Sequence, residues 1–357
     1  AISTVFLNLS MIGCALLLRG FFEIPITALA VGVLVGGALQ LLLQLPVLYR
    51  MGFPIRLRFR PRHPAVKRIS LLMLPSVFGV GVYYLNITVG AILASLLPQG
   101  SVSYLYYAQR LFEFPQGIFA VSIAQAVLPS MSRQAAAGEM EGLKESLSFG
   151  LRLTLFITIP AMAGLLLCAT PIFTLLFMGG AFDYAKAVKS AEALYFYSWG
   201  LTFVALVRVL VPAFYALKDT RTPVLTAFVA FLINFGFSLL LMGPLLHGGL
   251  ALATSLSAFF NMLMLVYYLR KKIGPFGGKK IAFSGLRILL ATLPMSLVVS
   301  LCIQTIDWSI KGQKLLKGGV LTLAVCAGIF VFLIFAHLFR CEETARVSEI
   351  IRRKLRR

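Results

Sequence analysis

"VSYLYYAQRLFEFPQGIFAVSIAQAVLPSMS", residues 102–132, runs for 31 residues with two charges, Arg110 and Glu113. A helix that crosses a bilayer needs about 20 mostly apolar residues, so this stretch is long enough, and its prolines mark where it can bend. Similar runs recur on both sides of it. By apolar length they predict ten helical spans, near 2–18, 25–48, 69–97, 102–132, 147–177, 187–217, 223–243, 248–269, 283–306 and 315–338. The chain of 357 residues is 59% hydrophobic and 13% charged, whereas soluble domains carry about 25% charged residues. Segments of about 10 residues with alternating polarity, the mark of a membrane β-barrel, are absent from the pattern. The expected fold is an all-α polytopic membrane protein.

Charge distribution orients the spans. Segments 50–68, 133–145, 218–222, 270–280 and 340–357 alternate onto one side and hold 23 of the 33 Lys and Arg residues; the other side holds six, and four lie within spans. By the positive-inside rule the first set is cytoplasmic, as are both chain ends. The net charge of +21 then reads as an orientation signal and as attraction to anionic membrane lipids, not as a nucleic-acid interface. The stretch "FPIRLRFRPRHP" (53–64) and the terminal "IIRRKLRR" (350–357) read as membrane-surface segments.

Several chemistries find no support. The five cysteines form neither a CxxC pair nor a Cys/His cluster, so no disulfide framework or metal site is implied. "GPFGGKK" (274–280) lacks the spacing and the Ser/Thr of a phosphate loop. The tripeptides "NLS" (8–10) and "NIT" (86–88) fall within spans and are discarded as glycosylation acceptors. No catalytic constellation is present, and the expected protein is not an enzyme. The chain opens on "AISTVFLNLSMIG", already apolar, and reads as a piece of a longer membrane protein whose earlier helices would be its partners.

Charges inside spans carry the functional signal. Arg110 lies about eight residues into its span, roughly 12 Å deep at 1.5 Å per residue, where an unpartnered charge costs about 2.5–3.5 kcal/mol. Glu113 at i+3 shares its face, and Pro115 and Gly117 follow as a candidate hinge. Two readings compete: Arg110 snorkels to the outer surface, or it lines a wet cavity and binds an anion, for which a guanidinium fork suits phosphate. Arg208 is a second cavity candidate, whereas Arg152 and Arg287 sit near a cytoplasmic boundary and are expected to snorkel. Glu192, near the outer end of its span, reads as interfacial. Prolines 75, 115, 160, 212 and 294 are kink candidates, and "GVLVG" (32–36) places two glycines on one close-packing face. Asn86, Asn234, Ser238 and Thr254 form a polar set that could coordinate a monovalent cation. With no carboxylate among them, interhelical hydrogen bonding is the preferred reading.

"NLSMIGCALL" (8–17), "VGGALQLLLQLPVLYRMG" (35–52), "GSVSYLYYAQRLFEFPQGIFAVSIAQAVLPSMSR" (100–133) and "LVPAFYALKDTRTPV" (210–224) resemble the MurJ (MviN) family of lipid II flippases, within the multidrug/oligosaccharidyl-lipid/polysaccharide exporter superfamily. The resemblance is collinear over essentially the whole chain. It implies helices five to fourteen of a two-lobed, fourteen-helix protein of the bacterial cytoplasmic membrane. Residues 1–49 would be the last two helices of the N-lobe, 50–68 a basic cytoplasmic loop and 69–270 the six-helix C-lobe. Residues 271–338 would hold a basic loop and two extra helices that line a groove for the polyprenyl tail, and 339–357 a basic tail. The implied activity is the flipping of lipid II by alternating access. A flippase for another polyprenyl-linked oligosaccharide, or a drug/cation antiporter of the same superfamily, is the alternative. Arg110 falls on the family's C-lobe cavity arginine, and Glu113, Pro115 and Gly117 on the pattern around it. The residue before the arginine is often acidic in relatives and is Gln109 here. Some members bind sodium through the helices that hold Asn86, Asn234, Ser238 and Thr254, but the carboxylates of such a site are missing. Membrane potential is therefore the expected drive, with cell-wall synthesis proteins as expected neighbours.

Overall fold

The computed structural model describes residues 2–52 and 64–344, without the side chains of 2–4, 65, 67–80 and 83. The basic stretch 53–64 lies outside the described residues except for Pro64, and so does the tail segment 350–357. Every regular element among the described residues is helical, with a single isolated β-bridge between Gly179 and Phe182. The chain falls into two compact units, residues 1–70 and 71–357.

The first unit pairs α1 (Ile2–Leu18) with α2 (Ile26–Arg50). Small residues let the two backbones approach. A Cβ on Gly32 would stand 2.9 Å from the Met11 Cα, and one on Gly36 3.0 Å from the Leu7 Cα. Ser10 Oγ donates to the Gly32 carbonyl across the same contact at 2.9 Å. The glycines of "GVLVG" thus form the close-packing face that their spacing predicts.

In the second unit α3 (Pro64–Ser95) leads into α4 (Ser101–Pro115), a π-helical turn (Gln116–Ala120) and α5 (Val121–Ala137). Gly138, at φ 75°, ends α5 in the left-handed cap that glycine adopts freely. α6 (Met140–Leu176) follows, then α7 (Tyr184–Ser198), capped by the Asp183 carboxylate on the Lys186 N–H at 2.9 Å. α7 and α8 (Leu201–Ala216) meet at a 45° bend. The break in that span falls at Trp199–Gly200 and not at Pro212. Ser255 Oγ donates to the Phe196 and Tyr197 carbonyls at the break, and a Cβ on Gly200 would come within 2.8 Å of the Ser255 Cα.

α9 (Arg221–Ile273) has 53 residues, about 80 Å of helix at 1.5 Å per residue, against a hydrocarbon layer of about 30 Å. It holds two passes, divided at Leu246, whose φ of 49° and ψ of −131° are not helical. α10 (Gly278–Ile303) and α11 (Lys314–Leu338) complete the unit. Among the described residues six helices are long and apolar enough to cross a membrane, and the bent pair makes a seventh. The Leu246 break divides α9, while α1 and α3 contribute shorter apolar segments, Val5–Leu18 and Tyr84–Ser95, where the apolar runs predict two further spans.

Packing comes in three blocks. One joins α4, α6, α7 and the start of α8 around Phe112, Phe173, Leu194 and Leu201. A second joins α5, α6, α8 and the end of α9 around Met131, Leu147, Phe214 and Leu265. The third seats α10 and α11 on α6 through Phe156, Ile288, Met295 and Phe332.

Arg287 stays exposed, whereas Arg152 meets carboxylates in place of the water it was expected to reach. Arg152, on α6 with 11% of its side chain exposed, pairs with Glu342 at 2.5 Å and Glu343 at 3.4 Å. Glu343 also accepts from Ser284 Oγ, and Arg287 donates to the Arg340 carbonyl. The segment after α11 is thereby clamped to α6 and α10, and hydrogen bonding from Arg152 holds the Glu342 carboxyl below its ordinary range. Lys317, assigned to the outer side by its position, is buried in the first turn of α11 and donates to the Trp308 and Ile310 carbonyls at 2.8 and 2.7 Å.

Candidate functional site

A π-helical turn lies immediately after Pro115, where the Val121 N–H reaches the Gln116 carbonyl five residues back. Such turns are frequent at functional sites. Nothing lies within 4 Å of a Cβ placed on Gly117, so glycine there loosens the helix and is not needed for space.

One turn before this point α4 carries the charged pair. Arg110 Nη1 donates to Glu113 Oε2 at 3.1 Å, and Gln109 Nε2 donates to Glu113 Oε1 at 3.1 Å. The guanidinium also lies over the Tyr106 ring, 5.0 Å from its centroid, a cation–π contact worth about 0.5–1 kcal/mol. The Arg110 side chain is nevertheless 61% exposed. One of its nitrogens, Nη1, is engaged by Glu113. An exposed i,i+3 ion pair is worth about 0.2–0.5 kcal/mol, which a bidentate anion can exceed.

Arg208 is exposed on α8 and donates to Gln116 Oε1 at 3.3 Å. Gln116 is buried in the π-helical turn. The second candidate arginine is therefore anchored to the bend beside the first and lies outside the Arg110–Glu113 pair itself.

The polar set of Asn86, Asn234, Ser238 and Thr254 comes together around one cavity of about 220 Å³, which Tyr106 and Gln109 also line. Asn234 Nδ2 donates to Asn86 Oδ1 at 2.6 Å, and Ser238 Oγ stands 3.5 Å from Asn234 Oδ1. Thr254 Oγ1 donates back to the Leu250 carbonyl of its own helix. The amides are spent on each other, the geometry of an interhelical hydrogen bond, and no carboxylate lines the cavity.

Two members of this arrangement were missed in the sequence. Tyr106 reads there as one of several interfacial tyrosines, and only the helical phase of α4 puts it beneath Arg110. Gln109 reads as the loss of a carboxylate, whereas it is a second hand on Glu113. The i,i+4 spacing from 109 to 113 was the available signal.

Comparison with known proteins follows from this geometry. Residues 1–316 match the family model described as lipid II flippase MurJ. A probable lipid II flippase MurJ of Vibrio cholerae is 36% identical over 92% of this chain and 64% of its own length. A lipid II flippase MurJ of Burkholderia cenocepacia is 34% identical over 95% of this chain and 66% of its own. The chain thus spans less than two thirds of the length of these relatives. A solved structure of lipid II flippase MurJ in an inward closed conformation superposes with a TM-score of 0.78 at 26% identity, over 95% of this chain and 67% of that one. An outward-facing multidrug resistance MATE family transporter of the MOP superfamily, at TM-score 0.51 and 16% identity over 78% of this chain and 66% of its own, shares the fold alone.

Proposed function

The chain belongs to the lipid II flippase MurJ family, and from that premise we propose that it moves lipid II from the cytoplasmic to the periplasmic leaflet of the bacterial inner membrane by alternating access. The observation that carries this reading is Arg110, a permanently charged fork set within a span and left 61% exposed. A guanidinium so placed offers two parallel donors to a diphosphate. Glu113 and Tyr106 hold it in position while no anion is bound, at a cost small enough to be exchanged. Arg208, at the π-helical turn, supplies a second positive charge to the same end of the ligand. Exposed leucines along α10 and α11, such as Leu293, Leu297 and Leu323, suit a polyprenyl tail that stays in lipid while the head group crosses.

The basic loops and both chain ends face the cytoplasm in this reading, where the precursor is made and where cell-wall enzymes can meet the protein. No covalent step is involved. Binding that is equally strong on both sides gives no direction, so net export draws on the membrane potential acting on the anionic head group and on consumption outside. The neutral Asn86–Asn234 cavity needs no sodium ion for this cycle.

The test is complementation by the full-length protein in cells depleted of their own flippase, with membrane levels matched. Arg110→Ala is expected to abolish growth, and Arg110→Lys to restore it in part, because an ammonium lacks the fork. Equal growth with Arg110→Ala removes the diphosphate role.

A further inference from the structure

On the side poor in Lys and Arg, the larger unit holds a titratable cluster that the head-group site does not use. α9 breaks there at Leu246 with positive φ, a strained conformation for a branched side chain. The following glycines show how tightly the corner is built. A Cβ on Gly248 would stand 2.7 Å from the Phe196 ring, and one on Gly249 2.2 Å from the Leu241 carbonyl oxygen. Between them and Leu246 sits His247, with 4% of its surface exposed.

His247 Nε2 lies 2.9 Å from the Lys189 carbonyl oxygen of α7. A carbonyl can only accept, so Nε2 carries the hydrogen and Nδ1 the free lone pair. Glu192 Oε2 stands 3.7 Å from the same Nε2, and the Tyr104 ring of α4 packs 5.5 Å from the imidazole between centroids. A cavity of about 190 Å³ opens beside them. The ionisable groups that face His247 are Lys189 and Glu192 from α7 and Tyr104 from α4; the 98–101 turn and α9 itself bring none to this cavity.

We propose that His247 and Glu192 form a proton-binding site, loaded from the outer compartment, that governs how α9 packs on α7. A proton taken at Nδ1 leaves the Nε2–H on the Lys189 carbonyl and turns the ring into an imidazolium whose charge meets the Glu192 carboxylate. A conformer in which α7 and α9 stay packed binds the proton more tightly than one in which they part, so acid on the outer side favours the packed conformer. The link to transport rests on the flippase reading; proton binding itself does not.

The experiment uses the full-length protein. Hydrogen–deuterium exchange at the imidazole C2 position, read by mass spectrometry, follows each of the three histidines (His63, His247 and His337) separately. The pH dependence of exchange at His247 is expected to change when Glu192→Gln removes the facing carboxylate. In proteoliposomes the flipping rate is expected to vary with outer pH. His247→Gln, whose amide can still donate to the Lys189 carbonyl, is expected to flatten that profile. Exchange at His247 indifferent to Glu192→Gln, or a pH profile unchanged by His247→Gln, overturns the proton site. Absence of flipping at every pH with the His247–Glu192 coupling intact upholds the proton site and counts against the flippase reading instead.

Discussion

Arg152→Met isolates the clamp that ties the segment after α11 to the rest of the larger unit. Glu343 has 2% of its side chain exposed, and its Oε1 receives Ser284 at 3.0 Å and Arg152 at 3.4 Å, while Oε2 has no partner. Without Arg152, a buried carboxylate is left with one hydroxyl donor. Removing one partner of a buried pair costs about 3–5 kcal/mol. The 3.4 Å separation places this case at the lower end, about 3 kcal/mol, or a fall of about 6–12 °C in Tm at the 2–4 °C per kcal/mol of a large domain. Glu342 is 71% exposed, so Glu342→Gln is expected to cost below about 1 kcal/mol despite the shorter contact. The double variant Arg152→Met/Glu343→Leu replaces two charges by apolar volume and is expected to recover most of the loss. Thermal denaturation of the purified full-length protein orders these variants. If Arg152→Met melts with the parent, or the double variant melts below both singles, Glu343 is not the buried charge that Arg152 compensates.

Three further outcomes follow from the packing. Gly249→Ala drives a methyl into the Leu241 carbonyl oxygen, whereas Gly236 has nothing within 4 Å of its Cβ; monodisperse yield on size exclusion is expected to collapse for the first and to hold for Gly236→Ala. Asn234→Leu removes the 2.6 Å bond to Asn86 and is expected to cost about 0.6–1.7 kcal/mol, the range of hydrogen bonds between membrane helices, read as a lower Tm. At the α8–α9 junction, burial pushes the Asp219 carboxyl up, but hydrogen bonds from Lys272 and Thr222 outweigh it and bring the pKa down to about 2. A depressed folded pKa contributes stability above the unfolded value that is lost as pH falls from about 4 towards 2. The half-exposed Lys272 screens the pair, leaving about 1 kcal/mol; acid melts of Asp219→Asn should lack that component, and an unchanged acid profile refutes it.

Much of the fold could be read from apolar run length, because lipid requires each crossing backbone to satisfy itself as helix. The Gly32–Gly36 face and the proximity of Asn86, Asn234, Ser238 and Thr254 were also visible, through spacing within single helices and the topology of antiparallel passes. The Arg152–Glu343 pair was not: its members are 191 positions apart, and an arginine near a span end looks the same whether it reaches for water or for a buried acid. The burial of Lys317 was hidden for the same reason, since the carbonyls that take its charge belong to an irregular loop with no periodicity. The bend at Gly200 escaped because a proline nearby gave a stronger local signal than a glycine whose need arises only from Ser255 on another helix.

Ala108, Phe112, Gln116, Ala120 and Ala124 are all buried, four steps of a strict four-residue repeat. On an ideal α-helix that stripe drifts by about 160°, since each step of four overshoots a turn by about 40°. The wide turn at 116–120 absorbs part of this drift, so one nearly straight seam serves both packing blocks. Tightening those five residues to α-helical pitch would twist the inner half of the rod against the outer half, with the arginine-bearing turn on one side of the joint and Val127 and Met131 on the other. The pitch of these five residues thus fixes the angle between the two halves of the rod.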